Sequence, residues 1–314
     1  MSFFSSICIT VKSEYMKILI LGNGFDLDLG LDTRYSDFAK SQQWKELYKE
    51  FKHTNKDNLA GFLKEKANED KWFSIEESLA EYAKKKIGLK DFSHVNDDKH
   101  FLELLEGKLE IFLDLASMDT FEKDHLATSL LDLMNKKQIF DKVYTFNYIS
   151  HDALHKWCGC NYEREVSYVH QKLYCGIVLG VGSNDITDDR YSFLRKVNHP
   201  KYSSTSIGRD LMEADQVVFF GHSLNTIDFD YFKDFFVACS QYNGTLATPT
   251  RITIIDKSDD SIQSIKNNLK SNGISVTSLC SYSHIIFIAL DNYYRGEYTE
   301  RDDVTDLMKR LNGS

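Results

Sequence analysis

Lys17-Ile18-Leu19-Ile20-Leu21-Gly22-Asn23-Gly24-Phe25-Asp26-Leu27 is the stretch that decides the fold. Four branched apolar side chains, Ile18 to Leu21, stop abruptly at Gly22-Asn23-Gly24. A short continuous apolar run of this kind reads as a strand covered on both faces, ending in a tight turn with a helix expected from near Phe25. Neither glycine carries a Cβ, so the backbone can pass close to a ligand. The amides at the start of the following helix favour an anion such as phosphate. The pattern is not the usual dinucleotide fingerprint: Leu27 stands at the third glycine position, and Asp26 sets a carboxylate near the expected pyrophosphate.

Outward from this strand, further candidates are 141–146, 165–170, 175–180, 215–220, 251–256 and 284–289. Most are short, largely apolar and separated by helical patterns. That predicts an α/β fold: a Rossmann-like, doubly wound, mainly parallel sheet between helix layers. Residues 34–138 contain no strand pattern and read as a large helical insertion between the first and second strands. Within it, Phe101, Leu102, Leu105, Leu109, Phe112 and Leu113 recur at helical spacing over 97–115, and Ser74 with Glu77 has the form of a capping box. The expected organisation is an extension over 1–15, with Met16 directly before the first strand, followed by one α/β domain over 16–314.

In such a sheet a ligand lies beyond the carboxyl ends of the strands. Those ends carry Gly22-Asn23-Gly24-Phe25-Asp26, Asn147-Tyr148, His170-Gln171, Gly182-Ser183-Asn184-Asp185, Gly221-His222-Ser223-Leu224-Asn225 and Asp256. The topology predicts that these clusters share one rim and form a nucleotide site.

Composition narrows the class. A net charge of −9 argues against a general nucleic-acid binder. The 6 cysteines are scattered, which suits free thiols in a reducing cytoplasm better than a disulfide framework. The N-terminus lacks the basic and apolar regions of a signal peptide, and no apolar run is long enough for a membrane span. A soluble cytoplasmic protein is expected.

The rim clusters resemble the bacteriophage abortive-infection AbiH family. The resemblance rests on Gly22-Asn23-Gly24-Phe25-Asp26 with Gly30, Tyr35-Ser36-Asp37-Phe38, Trp72 to Glu76, Thr145-Phe146-Asn147-Tyr148, His170, and Gly221-His222-Ser223-Leu224 followed by Asp228. It extends over about residues 16–236. AbiH proteins are in turn similar to the sirtuin-like NAD-binding superfamily, whose first glycine motif has the spacing of Gly22, Gly24 and Gly30. The Thr-Gln-Asn motif of sirtuins is similar to Thr145-Phe146-Asn147, and their general-base histidine to His170. Asp26 replaces the sirtuin serine, Gln171 stands where AbiH proteins usually have glycine, and the four-cysteine zinc module is missing. The resemblance therefore implies simple hydrolysis of NAD rather than deacylation.

On this reading Asn147, His170 and Asp26 are the catalytic candidates. Asn147 would orient the ribose and a water, His170 would take a proton, and Asp26 would stabilise charge on the ribose or bind the nicotinamide carboxamide. Gly22, Asn23, Gly24, Phe25, Gly221, His222, Ser223, Asn225 and Asp256 would bind the nucleotide. NAD is then substrate or ligand, with no separate cofactor and no metal. The expected setting is an antiviral effector acting with a defence partner or as a homo-oligomer, off the membrane and without direct nucleic-acid contact. The alternative is a non-catalytic nucleotide-sensing or interaction module of such a system.

Each residue has a plainer role available. Asn147 can cap a helix, His170 can end a strand, and Asp26 can be a first-turn acid. Glu76 reads equally as a pocket or a capping residue. His151, His155 and Cys158 share a helical face at feasible ligand spacing but lack a C-x-x-C pair, so no zinc is expected there.

Overall fold

The computed structural model describes residues 15–69, 73–87, 93–117, 124–137, 139–148, 166–182, 188–241 and 250–313. Six strands among them form one all-parallel sheet: β1 (Lys17–Leu21), β2 (Lys142–Thr145), β3 (Val166–Tyr168), β4 (Gln216–Phe220), β5 (Arg251–Asp256) and β6 (His284–Ala289). Their order is β3-β2-β1-β4-β5-β6. The chain winds outward from β1 in both directions, so the order reverses between β1 and β4. A crevice opens at such a reversal, beyond the strand ends.

The unbroken apolar character of β1 follows from two covered faces. Leu19 and Leu21 pack with Val218, Phe220, Ile255 and Ile288 on one side. Ile18 and Ile20 pack with Tyr144, Val217, Phe219, Ile252 and Ile254 on the other. Among the described residues, seven helices lie between β1 and β2: α1 (Asn23–Asp28), α2 (Tyr35–Phe38), α3 (Gln42–Glu50), α4 (Leu59–Glu69), α5 (Ile75–Lys86), α6 (Val95–Ala116) and α7 (Leu126–Lys136). Then follow α8 (Ile207–Glu213), α9 (Lys233–Ser240), α10 (Asp259–Ser271), α11 (Val276–Tyr282), α12 (Leu290–Arg295) and α13 (Tyr298–Asn312). The helices α7, α12 and α13 cover the first face, and α8 to α11 the second.

A third core has no sheet in it. Trp44, Leu47, Leu63, Leu79, Tyr82, Phe101, Leu105 and Leu109 join α3, α4, α5 and α6. The periodicity over 97–115 thus corresponds to α6, whose residues Phe101, Leu105 and Leu109 are fully buried. Ser74 caps α5 by accepting from the Glu77 amide at 3.3 Å. No helix among the described residues is long and apolar enough to cross a membrane.

One expected strand is absent. Residues 175–180 are not part of the sheet. Their apolar side chains Ile177 and Leu179, followed by Val181, pack into the third core instead. The backbone there is satisfied outside any neighbouring strand: Val178 donates to the His170 carbonyl at 3.0 Å, and Leu179 to Glu106 Oε1 at 3.1 Å. An apolar run buried against helices has the same sequence pattern as one buried in a sheet.

The turns after β1 and β4 are in backbone contact. Gly22 donates to the Phe220 carbonyl at 3.0 Å and Gly24 to the Gly221 carbonyl at 2.9 Å. A Cβ on Gly24 would sit 2.6 Å from Gly221 Cα, with no flexible side chain to yield. Gly24→Ala is therefore expected to destabilise the fold by about 1–3 kcal/mol through overpacking. Gly107, inside α6, has nothing within 4 Å of an added Cβ. There the same substitution should stabilise by about 0.5–1 kcal/mol, because alanine loses less chain entropy in a helix. Urea denaturation of the two variants reads the opposite signs.

Candidate functional site

A cavity of about 400 Å³ opens beyond the ends of β1, β2 and β4, at the reversal of strand order. That size falls in the range of small-molecule sites, roughly 300–1,000 Å³. One wall comes from the strand-end loops: Gly22, Asn23, Asp26, Asn147, His170, Gly221, His222, Ser223, Asn225 and Asp228. The other comes from the helices before β2, through Tyr35, Phe73, Glu76 and Leu113. The site therefore lies between the sheet and the third core.

The glycine turn is built for close packing. Gly22, Gly24 and Gly221 meet with no room for side chains, and Gly221 sits at φ +67°, where glycine is favoured. The amides expected to face a phosphate are occupied: Gly24 donates to the Gly221 carbonyl and Phe25 to the Gly22 carbonyl, each at 2.9 Å. Asn23 lines the cavity and its Oδ1 accepts from Thr33 Oγ at 2.6 Å. Gly24 and Phe25 are not in the lining; Phe25 is buried edge-on against Phe220.

Asn147 and Asp26 meet across the cavity floor. Asn147 Nδ2 donates to the Gly22 carbonyl at 2.9 Å and to Asp26 Oδ1 at 2.7 Å. The amide of Asn147 thus ties the end of β2 to the turn after β1; the helix expected from near residue 148 lies outside the described residues. Burial raises the Asp26 carboxyl well above the usual range, only partly offset by Asn147.

Behind His170 lies a closed ionic cluster. Lys196 Nζ is 2.8 Å from Glu76 Oε1, 2.9 Å from Asp228 Oδ1 and 3.0 Å from His170 Nε2. His170 Nε2 is also 3.2 Å from Asp228 Oδ1. All four residues are buried. Burial works against the Lys196 ammonium, but Asp228 and Glu76 outweigh it and hold its pKa above the ordinary lysine value. Burial alone would also raise Asp228; the Lys196 ammonium beside it instead holds that carboxyl far below its usual range. Phe146 packs edge-on against both His170 and His222.

His222 accepts from the Leu224 amide at its Nδ1, 3.1 Å, and burial pushes its pKa down to about 4. It is therefore neutral at neutral pH, with its proton on Nε2. Asn225 lines the cavity and its Oδ1 accepts from the Ile227 and Asp228 amides, which shapes the loop carrying Asp228. Ser223 is exposed at the rim. Asp256 is outside the lining: its Oδ1 accepts from the Lys257 amide at 2.7 Å in the turn before α10. Gln171 adopts φ +68°, a backbone region that favours glycine, and its Nε2 donates to the Lys201 carbonyl at 2.7 Å. The set His151, His155 and Cys158, together with Trp72 and residues 183–187, lies outside the described residues.

The sequence reading did not find Lys196. It lies in a short 3₁₀ turn, Lys196–Asn198, far from any glycine motif, and a single lysine carries no spacing signal. Asp228 was visible only through its family motif. Tyr35 and Tyr148 bring two phenols that hydrogen-bond each other, both raised well above the ordinary tyrosine value by burial.

A family model described as bacteriophage abortive infection AbiH matches residues 18–247, well over half of the chain. No curated protein matches it.

The raised Asp26 carboxyl makes a prediction of definite sign. Its folded pKa lies above its unfolded value, so its contribution is fully present below the unfolded pKa and is lost as pH rises towards the folded one. Asp26→Asn can still accept from Asn147 but cannot ionise. The variant should gain stability relative to wild type as pH rises above about 4, with a slope of at most about 1.4 kcal/mol per pH unit. Thermal unfolding of both proteins across that window measures it.

Proposed function

The chain belongs to the bacteriophage abortive-infection AbiH family, and from that premise we propose that its cavity binds NAD or a closely related nucleotide and hydrolyses NAD to ADP-ribose and nicotinamide. The observation that carries this reading is the position of Asn147, Asp26 and His170 in one cavity at the reversal point between β1 and β4. Such crevices are where doubly wound sheets take nucleotides.

The chemistry asks little of a proton donor. Cleavage of the bond between ribose and the pyridinium ring releases nicotinamide as a neutral molecule. Its electrons leave with the nitrogen, and the sugar passes through an oxocarbenium-like state. Water then adds to the anomeric carbon and releases one proton to solvent, so that NAD and water give ADP-ribose, nicotinamide and a proton. What the protein supplies is grip, orientation and exclusion of bulk water. The Asn147 amide, fixed by Gly22 and Asp26, can hold ribose hydroxyls or the attacking water. Asp26, kept towards its neutral form, suits the carboxamide of nicotinamide better than it suits a cation. His170 holds the opposite side of the ribose. Asp228 on this wall and Glu76 on the facing one, with the Lys196 ammonium between them, leave a carboxylate excess towards the cationic ring and sugar.

The test is release of nicotinamide from NAD by the purified protein, with identification of any nucleotide that co-purifies. Asn147→Ala should keep the fold and lower turnover by about 10²-fold or more, because the ribose and water lose their orienting amide. Full activity in that variant would remove Asn147 from the mechanism. Binding without cleavage, even in cells challenged with phage, would replace hydrolysis with the sensing role.

A further inference from the structure

The buried cluster around Lys196 constrains the protons on His170. An ammonium has three N–H donors and no acceptor. Three partners stand within donor distance of Lys196 Nζ: Glu76 Oε1 at 2.8 Å, Asp228 Oδ1 at 2.9 Å and His170 Nε2 at 3.0 Å. Of these, Asp228 Oδ1 and His170 Nε2 are hydrogen-bonded to the ammonium, and Glu76 Oε1 is its second ionic partner.

The neutral imidazole has two tautomers, and the doubly protonated ring carries the same Nε2–H as the first of them. In the first, Nε2 carries the proton and donates to Asp228 Oδ1 across 3.2 Å. An N–H would then point into the group that holds the ammonium 3.0 Å away, setting donor against donor in a buried site. In the other, Nε2 is bare and accepts from Lys196, which leaves Asp228 to accept from the same ammonium. The second gives the ammonium two acceptors side by side, Nε2 at 3.0 Å and Asp228 Oδ1 at 2.9 Å, and it is the one that sets no donor against a group able only to donate. Asp228 keeps its partner either way.

We propose that Lys196 is a positioning residue that fixes His170 as the neutral Nδ1–H tautomer, so that the imidazole acts on the ligand as a hydrogen-bond donor and not as a proton acceptor. This rests on the reading of the cavity as a nucleotide site only for the identity of the ligand. The chemistry recognised is an oxygen with a lone pair, which in NAD or a related nucleotide is a ribose hydroxyl, and the donor holds that oxygen in place while the glycosidic bond opens. It departs from the expectation, carried by resemblance, that His170 removes a proton. With Nε2 occupied by the ammonium and Nδ1 already protonated, the ring has no lone pair to offer the cavity. The neighbours that set this state come from every side: Lys196 and Asp228 directly, Glu76 of α5 through Lys196, and Phe146, Tyr148 and His222 around the ring.

The test needs no turnover. Long-range ¹H–¹⁵N spectra of the intact, ligand-free protein at mildly alkaline pH, where an ordinary imidazole is neutral, separate the two tautomers by their nitrogen shifts. The His170 signals are those missing from His170→Asn. Wild type should show the Nδ1–H pattern, and Lys196→Met should lose that preference. An Nε2–H pattern in wild type overturns the proposal, and this spectrum decides it even if Lys196→Met does not fold. An unchanged tautomer in a folded Lys196→Met overturns the part assigned to Lys196. Where turnover is present, His170→Asn, whose amide can donate from near the Nδ1 position, should stay within about tenfold of wild type in kcat, while His170→Ala falls by about 10²-fold. Equal loss in both variants points to proton removal and overturns the donor role. Absence of turnover in wild type would instead remove the hydrolase reading and leave the tautomer result standing.

Discussion

A single buried ammonium, Lys196 Nζ, is the constraint on which the cavity depends. It draws together side chains from separate parts of the chain: Glu76 at the start of α5, His170 after β3 and Asp228 after β4. Taking each ion out of water costs several kcal/mol, and the cost is offset only when all the partners are seated. Removing one partner leaves an uncompensated charge, which typically costs about 3–5 kcal/mol. The cluster therefore joins the sheet to the group of helices α3, α4, α5 and α6. Those helices pack around their own core of Phe101, Leu105, Leu79 and Tyr82, and the sheet cores lie elsewhere.

The second constraint is backbone contact between the turns after β1 and β4. Three glycines, Gly22, Gly24 and Gly221, let the two turns approach until carbonyl and amide bond directly. This closeness gives the cavity its floor and also uses up amides at the start of α1. Recognition at this floor comes from side chains, chiefly Asn147 and Asp26, rather than from the helix terminus. The usual logic of a glycine turn, in which backbone approaches phosphate, is replaced by backbone approaching backbone.

Much of this was legible in the sequence. Short apolar runs bounded by glycine or polar residues located the strands, most cleanly β1 and β4, because central strands buried on both faces leave that trace, while the edge strands β3 and β6 are only partly buried. The rim argument brought Asn147, His170, Gly221 and His222 to one cavity, because parallel strands end on the same side. Failures had physical causes. Residues 175–180 resemble a strand because Ile177, Leu179 and Val181 are buried, but their neighbours are helices and the hydrogen bonds go to loops and to Glu106. Gly24 and Phe25 belong to the motif yet face inward, since a short helix turns its second and third residues towards the sheet. Asp256 ends β5 on the correct side, but its carboxylate is consumed by the next turn.

Lys196 was beyond sequence reading for a different reason. Motifs record groups that share an element or a strand end, whereas charge balance is a property of the assembled interior. Glu76, Asp228 and His170 each have an ordinary local explanation when taken singly: a first-turn acid, a loop carboxylate and a strand-end histidine. Only when they converge does burial demand a cation, because two carboxylates in one dry site cannot both stay ionised alone. The depressed Asp228 carboxyl and the sustained Lys196 charge are two expressions of that demand. Asp26, on the cavity floor, has burial and the Asn147 amide as its main influences among the described residues and responds in the opposite way, with its carboxyl raised. One cavity thus holds acids in two protonation regimes, and the difference is set by where a single lysine sits.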